Sequence, residues 1–159
     1  MRYWLMKSEP SSYSLDKLKK DKKTMWDGVR NYQARNYMIK DMKKGDGVLF
    51  YHSNAKPSAV VGLAKISKNA VPDITSFDKK SVYYDPKSTP ENPRWHCVEV
   101  EYIAHFNKYL PLAELKLLKS LDGLALLKKG MRLSIQPVLK KHFRVLCKKG
   151  VLDKNPFLK

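Results

Sequence analysis

The hydrophobic pattern divides the chain into short elements of mixed type. Tyr3 to Lys7 reads as an opening strand that stops at Ser8-Glu9-Pro10, because a proline pushes its predecessor out of the helical region and offers no backbone donor. Ser14 has N-cap chemistry, and Leu15 and Leu18 share one face of a short helix to Lys20, whose outer side is the run Lys19, Lys20, Asp21, Lys22, Lys23. Thr24 to Arg30 is a strand running into a turn. Asn31 then caps a predicted helix to about Lys43, with Ala34, Met38 and Met42 stacked at i, i+4 and i+8. After the turn Lys44 to Gly47, the runs Val48 to His52 and Ala59 to Ile66 form a hairpin-like pair joined by Ser53 to Ser58.

Lys68 to Pro93 holds Pro72, Pro86, Pro90 and Pro93 with little periodicity, which predicts a long irregular excursion of the kind that tends to carry function. Trp95 to Ala104 alternates as a strand with one buried side, Val98, Val100 and Tyr102 facing away from Glu99 and Glu101. Pro111 opens a predicted helix bearing Leu112, Leu115 and Leu118, and apolar packing continues from Leu121 to Leu127. Leu133 to Gln136 is the final strand. A closing helix from near Pro137 turns Leu139, Phe143, Leu146 and Cys147 inward and Lys140, Lys141, Arg144, Lys148 and Lys149 outward, with His142 assigned to its surface, and ends at Gly150. Five or six strands with three or four helices in no regular alternation define an α+β fold around a small curved mixed sheet. Residues 1–150 are expected to be one domain and 151–159 a C-terminal tail.

Composition narrows the partners. With 32 Lys and Arg against 15 Asp and Glu in 159 residues, the net charge is +17, which favours a polyanion because neutralising phosphates releases condensed counterions. Nucleic acid leads, an anionic membrane surface follows, and a merely solubilising surface is the plain alternative. No window approaches the roughly 20 apolar residues of a membrane span, and the opening apolar run is too short for a secretory signal, so a soluble intracellular protein is expected. Cys97 and Cys147 fit reduced core residues.

Catalytic motifs are missing. There is no P-loop pattern, Gly45-Asp46-Gly47 lacks the third glycine of a dinucleotide fingerprint, and no G-x-S-x-G occurs. His52 and Ser53 are neighbours on a strand and point to opposite faces, which prevents a dyad. His52, His96, His105 and His142 lack ligand spacing, so neither metal nor cofactor is expected. What stands out is a set of aromatic, amide and hydroxyl residues at element ends: Trp26, Asn31, Tyr32, His52, Ser53, Asn54, Tyr83, Tyr84, Ser134 and Gln136. Such a mixture suits a nucleobase, which takes an aromatic or apolar wall on its face and polar groups on its edge. Trp4 and Trp95 read as core. Trp26 stands open between wall and core, Tyr83 and Tyr84 could simply pin the long loop, and Asn31 could be only a cap.

The segments Tyr3-Trp4-Leu5-Met6-Lys7-Ser8-Glu9-Pro10, Trp26-Asp27-Gly28-Val29-Arg30-Asn31-Tyr32-Gln33-Ala34-Arg35-Asn36, Phe50-Tyr51-His52-Ser53-Asn54, Tyr83-Tyr84-Asp85-Pro86-Lys87, Asn92-Pro93-Arg94-Trp95 and Arg132-Leu133-Ser134-Ile135-Gln136-Pro137 carry a resemblance. Spread from residue 3 to residue 137, they resemble the EVE domain family of the PUA-like superfamily. The resemblance implies a PUA-like pseudobarrel of five to six mixed strands flanked by helices. It also implies a non-catalytic module that holds a modified base of DNA or RNA; no cofactor is expected, and the sequence leaves the oligomeric state open, with a monomer favoured. The pocket would be walled by Ser8 and Glu9, by Trp26, Val29, Asn31 and Tyr32, by His52, Ser53 and Asn54, and by Arg132, Leu133, Ser134 and Gln136. Lys7, Arg30, Arg35, Lys56, Lys128 and Lys129 are expected on phosphates. The basic N-terminal extension of the family's vertebrate nuclear member has no counterpart, which favours a cytoplasmic, bacterial-type protein over a nuclear one. Two alternatives stay open: a general RNA-binding module acting through lysines of the first and last helices, and a nucleotide-processing enzyme using His52 or Glu9 for proton transfer.

Overall fold

In the computed structural model, which describes residues 1–158, six strands form one mixed sheet in the order β2-β5-β4-β3-β1-β6. They are β1 (Tyr3–Ser8), β2 (Lys23–Met25), β3 (Gly47–His52), β4 (Ala59–Pro72), β5 (His96–Pro111) and β6 (Ile135–Val138). β1 runs parallel to β3, and every other neighbouring pair is antiparallel. β2 and β6 remain as edges, so the curled sheet is a pseudobarrel that does not close. Four helices flank it: α1 (Leu15–Asp21), α2 (Tyr32–Asn36), α3 (Leu112–Leu115) and α4 (Lys140–Lys149). This is the α+β pseudobarrel expected from the sequence. No helix of the described residues is long and apolar enough to cross a membrane.

Both faces of the sheet are covered, which is why β3 reads as an unbroken apolar run. Trp4, Met6, Val48 and Phe50 point into one core with α1, Met38, Met42 and Trp26. Tyr3, Leu5, Leu49 and Tyr51 point into the other with Leu115, Phe143 and Leu146. Along β4 the first core takes Ala59 and Val61 and then Ala64 and Ile66. The phase flips at Gly62, where the β4–β5 register shifts on both sides. A Cβ on Gly62 would run into the Ala104 carbonyl oxygen and the Leu15 side chain. The bulge bends the sheet, and only glycine leaves room for it. Gly62→Ala is therefore expected to destabilise the fold by about 1–3 kcal/mol, read as a lower denaturation midpoint with an unchanged slope.

Several elements depart from the pattern. The helix predicted to Lys43 is five residues of α2 followed by a wide π turn, Tyr37–Asp41, closed by the Met42 N–H on the Tyr37 carbonyl at 2.8 Å. Ala34, Met38 and Met42 are nevertheless all buried. β4 runs on to Pro72 and β5 to Pro111, because each pairs with the other well past the alternating stretch. The helix expected at Pro111 shrinks to the four residues of α3, and 3-10 turns at Lys119–Leu121 and Ala125–Leu127 bury Leu121, Leu124 and Leu126 instead. His142, assigned to the surface, is buried beside Phe143. The buried arc of α4 is wider than its leucine spacing indicates. Cys97 and Cys147 are free and buried.

Candidate functional site

The curl of the sheet brings its two edges around one cavity of about 540 Å³, lined by Lys7 and Ser8 from the end of β1, Thr24 and Met25 from β2, Trp26 to Asn31, and Ser134 just before β6, with Ser12, Tyr13 and Tyr83 completing the wall. A space of this size lies within the range of roughly 300–1,000 Å³ typical of small-molecule sites. Trp26 is both wall and core. Its ring meets Phe50 edge to face at 5.6 Å and Tyr13 at 6.4 Å, while its remaining surface lines the cavity.

The Trp26–Asn31 turn is held from both ends and from below. The Trp26 N–H donates to the Val98 carbonyl at 2.8 Å, and Asn31 Oδ1 accepts from the Ala34 N–H at 2.9 Å to cap α2. Gly28 has φ +78, and the Tyr83 ring lies where its Cβ would be, so the turn needs glycine for both conformation and space. Asp73, fully buried at the end of β4, joins these parts. Its Oδ2 accepts from the Gly28 N–H and from Arg30 Nη1, each at 2.9 Å, and its Oδ1 accepts from the Thr75 N–H at 2.9 Å and Thr75 Oγ1 at 2.6 Å. Arg30 also donates through Nη2 to the Tyr83 carbonyl at 2.6 Å. Burial would push the Asp73 carboxyl up, but the hydrogen bonds from Thr75, Gly28 and Arg30 outweigh it and hold the group below the usual range.

Three charged residues line the cavity, and one of them, Arg30, is already committed to Asp73 and Tyr83. Lys7 Nζ donates to the Met131 carbonyl at 3.3 Å and sits 5.7 Å from the Tyr51 ring centre, and desolvation pushes its pKa down. The Asp27 carboxyl is pushed up by desolvation and by the negative charge of Asp73. With Arg30 neutralised by Asp73, the cavity offers, among the described residues, one free cation in Lys7, one anion in Asp27, hydroxyls and an indole wall, an inventory suited to a neutral polar ring.

Of the residues expected in the pocket, Ser8, Trp26, Val29, Asn31 and Ser134 line the cavity, and the others do not. His52 Nε2 accepts from the Leu15 N–H at 3.1 Å and so holds the start of α1. Glu9 accepts from Asn54 Nδ2 at 2.6 Å, tying the loop after β1 to the loop after β3, and the Ser53 N–H donates to the Ser8 carbonyl. Leu133 packs against the first core, and the buried Gln136 side chain donates to the Leu133 carbonyl at 2.8 Å. Arg132 is exposed outside the cavity, and Tyr32 stacks on Trp95. Of the residues expected on phosphates, Arg30 is committed to Asp73 and Tyr83, Arg35 donates to the Arg94 carbonyl at 3.1 Å and to Asn36, and Lys7 lies inside the cavity. Lys56, Lys128 and Lys129 are exposed. Tyr13, Asp27 and Asp73 belong to the site without being among the residues expected there. The sequence carries a trace of Asp73 in the Asp-x-Thr spacing of a side-chain-closed turn, and of Asp27 in its Asp-Gly turn pair.

A family profile described as the EVE domain matches residues 2–149. Human thymocyte nuclear protein 1 is 42% identical over 160 residues, covering 89% of this chain and 70% of that protein. The structure of a hypothetical protein from Leishmania major is similar with a TM-score of 0.89 and 45% identity, covering 94% of each chain. The crystal structure of human THYN1 protein in complex with 5-methylcytosine-containing DNA is similar with a TM-score of 0.88 and 39% identity, covering 98% of this chain and all of that one. With the profile spanning nearly its whole length and the pseudobarrel shared, the chain belongs to the EVE domain family.

Proposed function

We propose that this protein is a non-catalytic nucleic-acid-binding module that takes a modified base into the cavity between its sheet edges. The observation that carries this is the cavity itself: an indole wall and a polar floor, held by a buried carboxylate, in a chain whose fold is that of the human protein solved with 5-methylcytosine-containing DNA. An extruded base needs these features, since opening a stack costs a few kcal/mol that stacking and edge hydrogen bonds must offset. A methyl group on the ring adds contact with the apolar wall that an unmodified base lacks. The polar edge would be met by Asp27, Ser134 and Lys7, and phosphates by exposed lysines at Lys56, Lys128, Lys129 and along the α1 segment. The two proton-transfer groups offered by the sequence favour binding over catalysis, because His52 holds the start of α1 and Glu9 ties two loops together, both outside the cavity.

Fluorescence anisotropy with single-stranded oligonucleotides that carry one central 5-methylcytosine, or cytosine in its place, tests this directly. Tighter binding of the modified strand is expected, and Asp27→Asn should weaken binding of both strands without unfolding the turn, because Asp27 itself is exposed. Log affinity should also fall with log salt by about 0.7 per phosphate neutralised. Equal affinity for both strands together with a steep salt slope would instead favour a general RNA- or DNA-binding module.

A further inference from the structure

Tyr32 was expected inside the pocket, but its ring lies outside, 53% exposed and stacked on Trp95 at 5.0 Å with 22° between the planes. Trp95 is itself buried and fixed, its Nε1 donating to Asp85 Oδ2 at 2.7 Å. The Arg35 guanidinium lies 4.7 Å from the Tyr32 ring centre and 5.8 Å from that of Trp95. With the two rings 5.0 Å apart, these three groups form a nearly equilateral triangle. At these distances Arg35, over the Tyr32 ring, is not across it from Trp95, so neither group accounts for the side of Tyr32 away from Trp95, and more than half of the residue is exposed. No hydrogen bond engages the Tyr32 hydroxyl among the described residues.

This exposed ring adjoins the cavity. Tyr32 follows Asn31, which lines it. Arg30 lies 5.6 Å from the Tyr83 ring in the cavity wall and 5.4 Å from the Trp95 ring beneath Tyr32, so one guanidinium touches both the wall and the base of the stack. A preorganised aromatic face flanked by cations is the arrangement on which single-stranded bases stack, whatever their sequence.

We propose that Tyr32 is a stacking platform for the nucleobase adjacent to the one held in the cavity. The platform rests on the reading that the cavity takes a base, and it divides recognition between two places. The cavity discriminates the modification, and Tyr32 adds affinity that is indifferent to base identity.

The test uses the full chain and single-stranded oligonucleotides with one central 5-methylcytosine, whose flanking nucleotides are intact or replaced, one side at a time, by an abasic residue. Single strands avoid any change in the cost of opening a base pair. For the wild type, removing the flanking base on one side is expected to weaken binding by about 5- to 150-fold. Tyr32→Ala should bind the intact strand about as weakly as the wild type binds that abasic strand, and should be indifferent to the abasic replacement. Tyr32→Phe should restore the wild-type pattern. The platform is overturned if the wild type binds intact and abasic-flanked strands equally. It is equally overturned if Tyr32→Ala loses the same factor on both, which is the behaviour of a purely structural stack. Failure of the cavity reading shows separately, as equal affinity for 5-methylcytosine and cytosine at the centre with both flanks intact, or as no binding of any strand, which would overturn both.

Discussion

Replacing Asp73 with alanine is expected to destabilise the protein by about 3 kcal/mol, because removing one partner of a buried ion pair strands the other. The Asp73 side chain is 1% exposed and that of Arg30 24%, and the Gly28 N–H and both Thr75 donors would lose their acceptor with it. Asp73→Asn should recover part of the loss, since an amide oxygen can still accept while the charge is gone. The effect has a defined pH dependence. A carboxyl held below its unfolded value of about 3.9 contributes stability that is fully present above that pH and is lost as pH falls through the folded value. The stability gap between wild type and Asp73→Ala should therefore be widest near neutrality and shrink below about pH 4. Denaturant titrations monitored by tryptophan fluorescence at pH 7 and pH 3.5 measure it, and a gap that does not change with pH would contradict the ionic role. Binding should weaken in the same variant, because the Trp26–Asn31 turn loses the group that holds Gly28 and Arg30 together.

Filling the cavity is the second large perturbation. Ser134 faces it, while the Ser134 carbonyl accepts from the Lys7 N–H at 2.9 Å and so fixes the local backbone. Ser134→Phe has open space to enter, and its ring would occupy the volume that a base requires. Affinity for a strand carrying one 5-methylcytosine is expected to fall by about 5- to 150-fold, the worth of one base–aromatic stack, with little change in folding stability. What remains should be the salt-sensitive, base-indifferent attraction of the exposed lysines. An unchanged affinity in the folded variant would place the base elsewhere.

Local chemistry was legible along the chain, and partnership across it was not. Ser14 and Asn31 were recognisable as caps because capping involves residues three positions apart, and both side chains accept the expected N–H groups. The turn after Trp26 is legible because Asp27-Gly28 is a turn dipeptide whose glycine supplies a positive φ, and Gly28 has it. His52, by contrast, looked like a pocket residue from its position at a strand end. Its acceptor role toward Leu15, 37 residues away, has no local trace. Asp73 lies 45 residues from Gly28 in a stretch that looked irregular. Only the pairing of β4 with β5 extends β4 far enough to bring Asp73 beneath the turn. The phase flip at Gly62 was hidden for the same reason, since a bulge is a relation between two strands. Charge was legible in amount but not in placement. Arg30 and Arg35 belong to the +17 excess, yet their guanidinium groups hold loops together, and the five basic residues of α4 lie on the layer opposite Trp26.

The most direct test of the cavity as the base site is a titration of the isotopically labelled protein, followed residue by residue by NMR, with a single strand carrying one 5-methylcytosine and with its unmodified counterpart. The backbone amides of Lys7, Ser8, Trp26 to Asn31 and Ser134 are expected to shift saturably, and at lower concentration of the modified strand, while those of α4 move little. Shifts confined to α4 and the other exposed lysines, identical for both strands and with the Trp26–Asn31 turn unmoved, would contradict it.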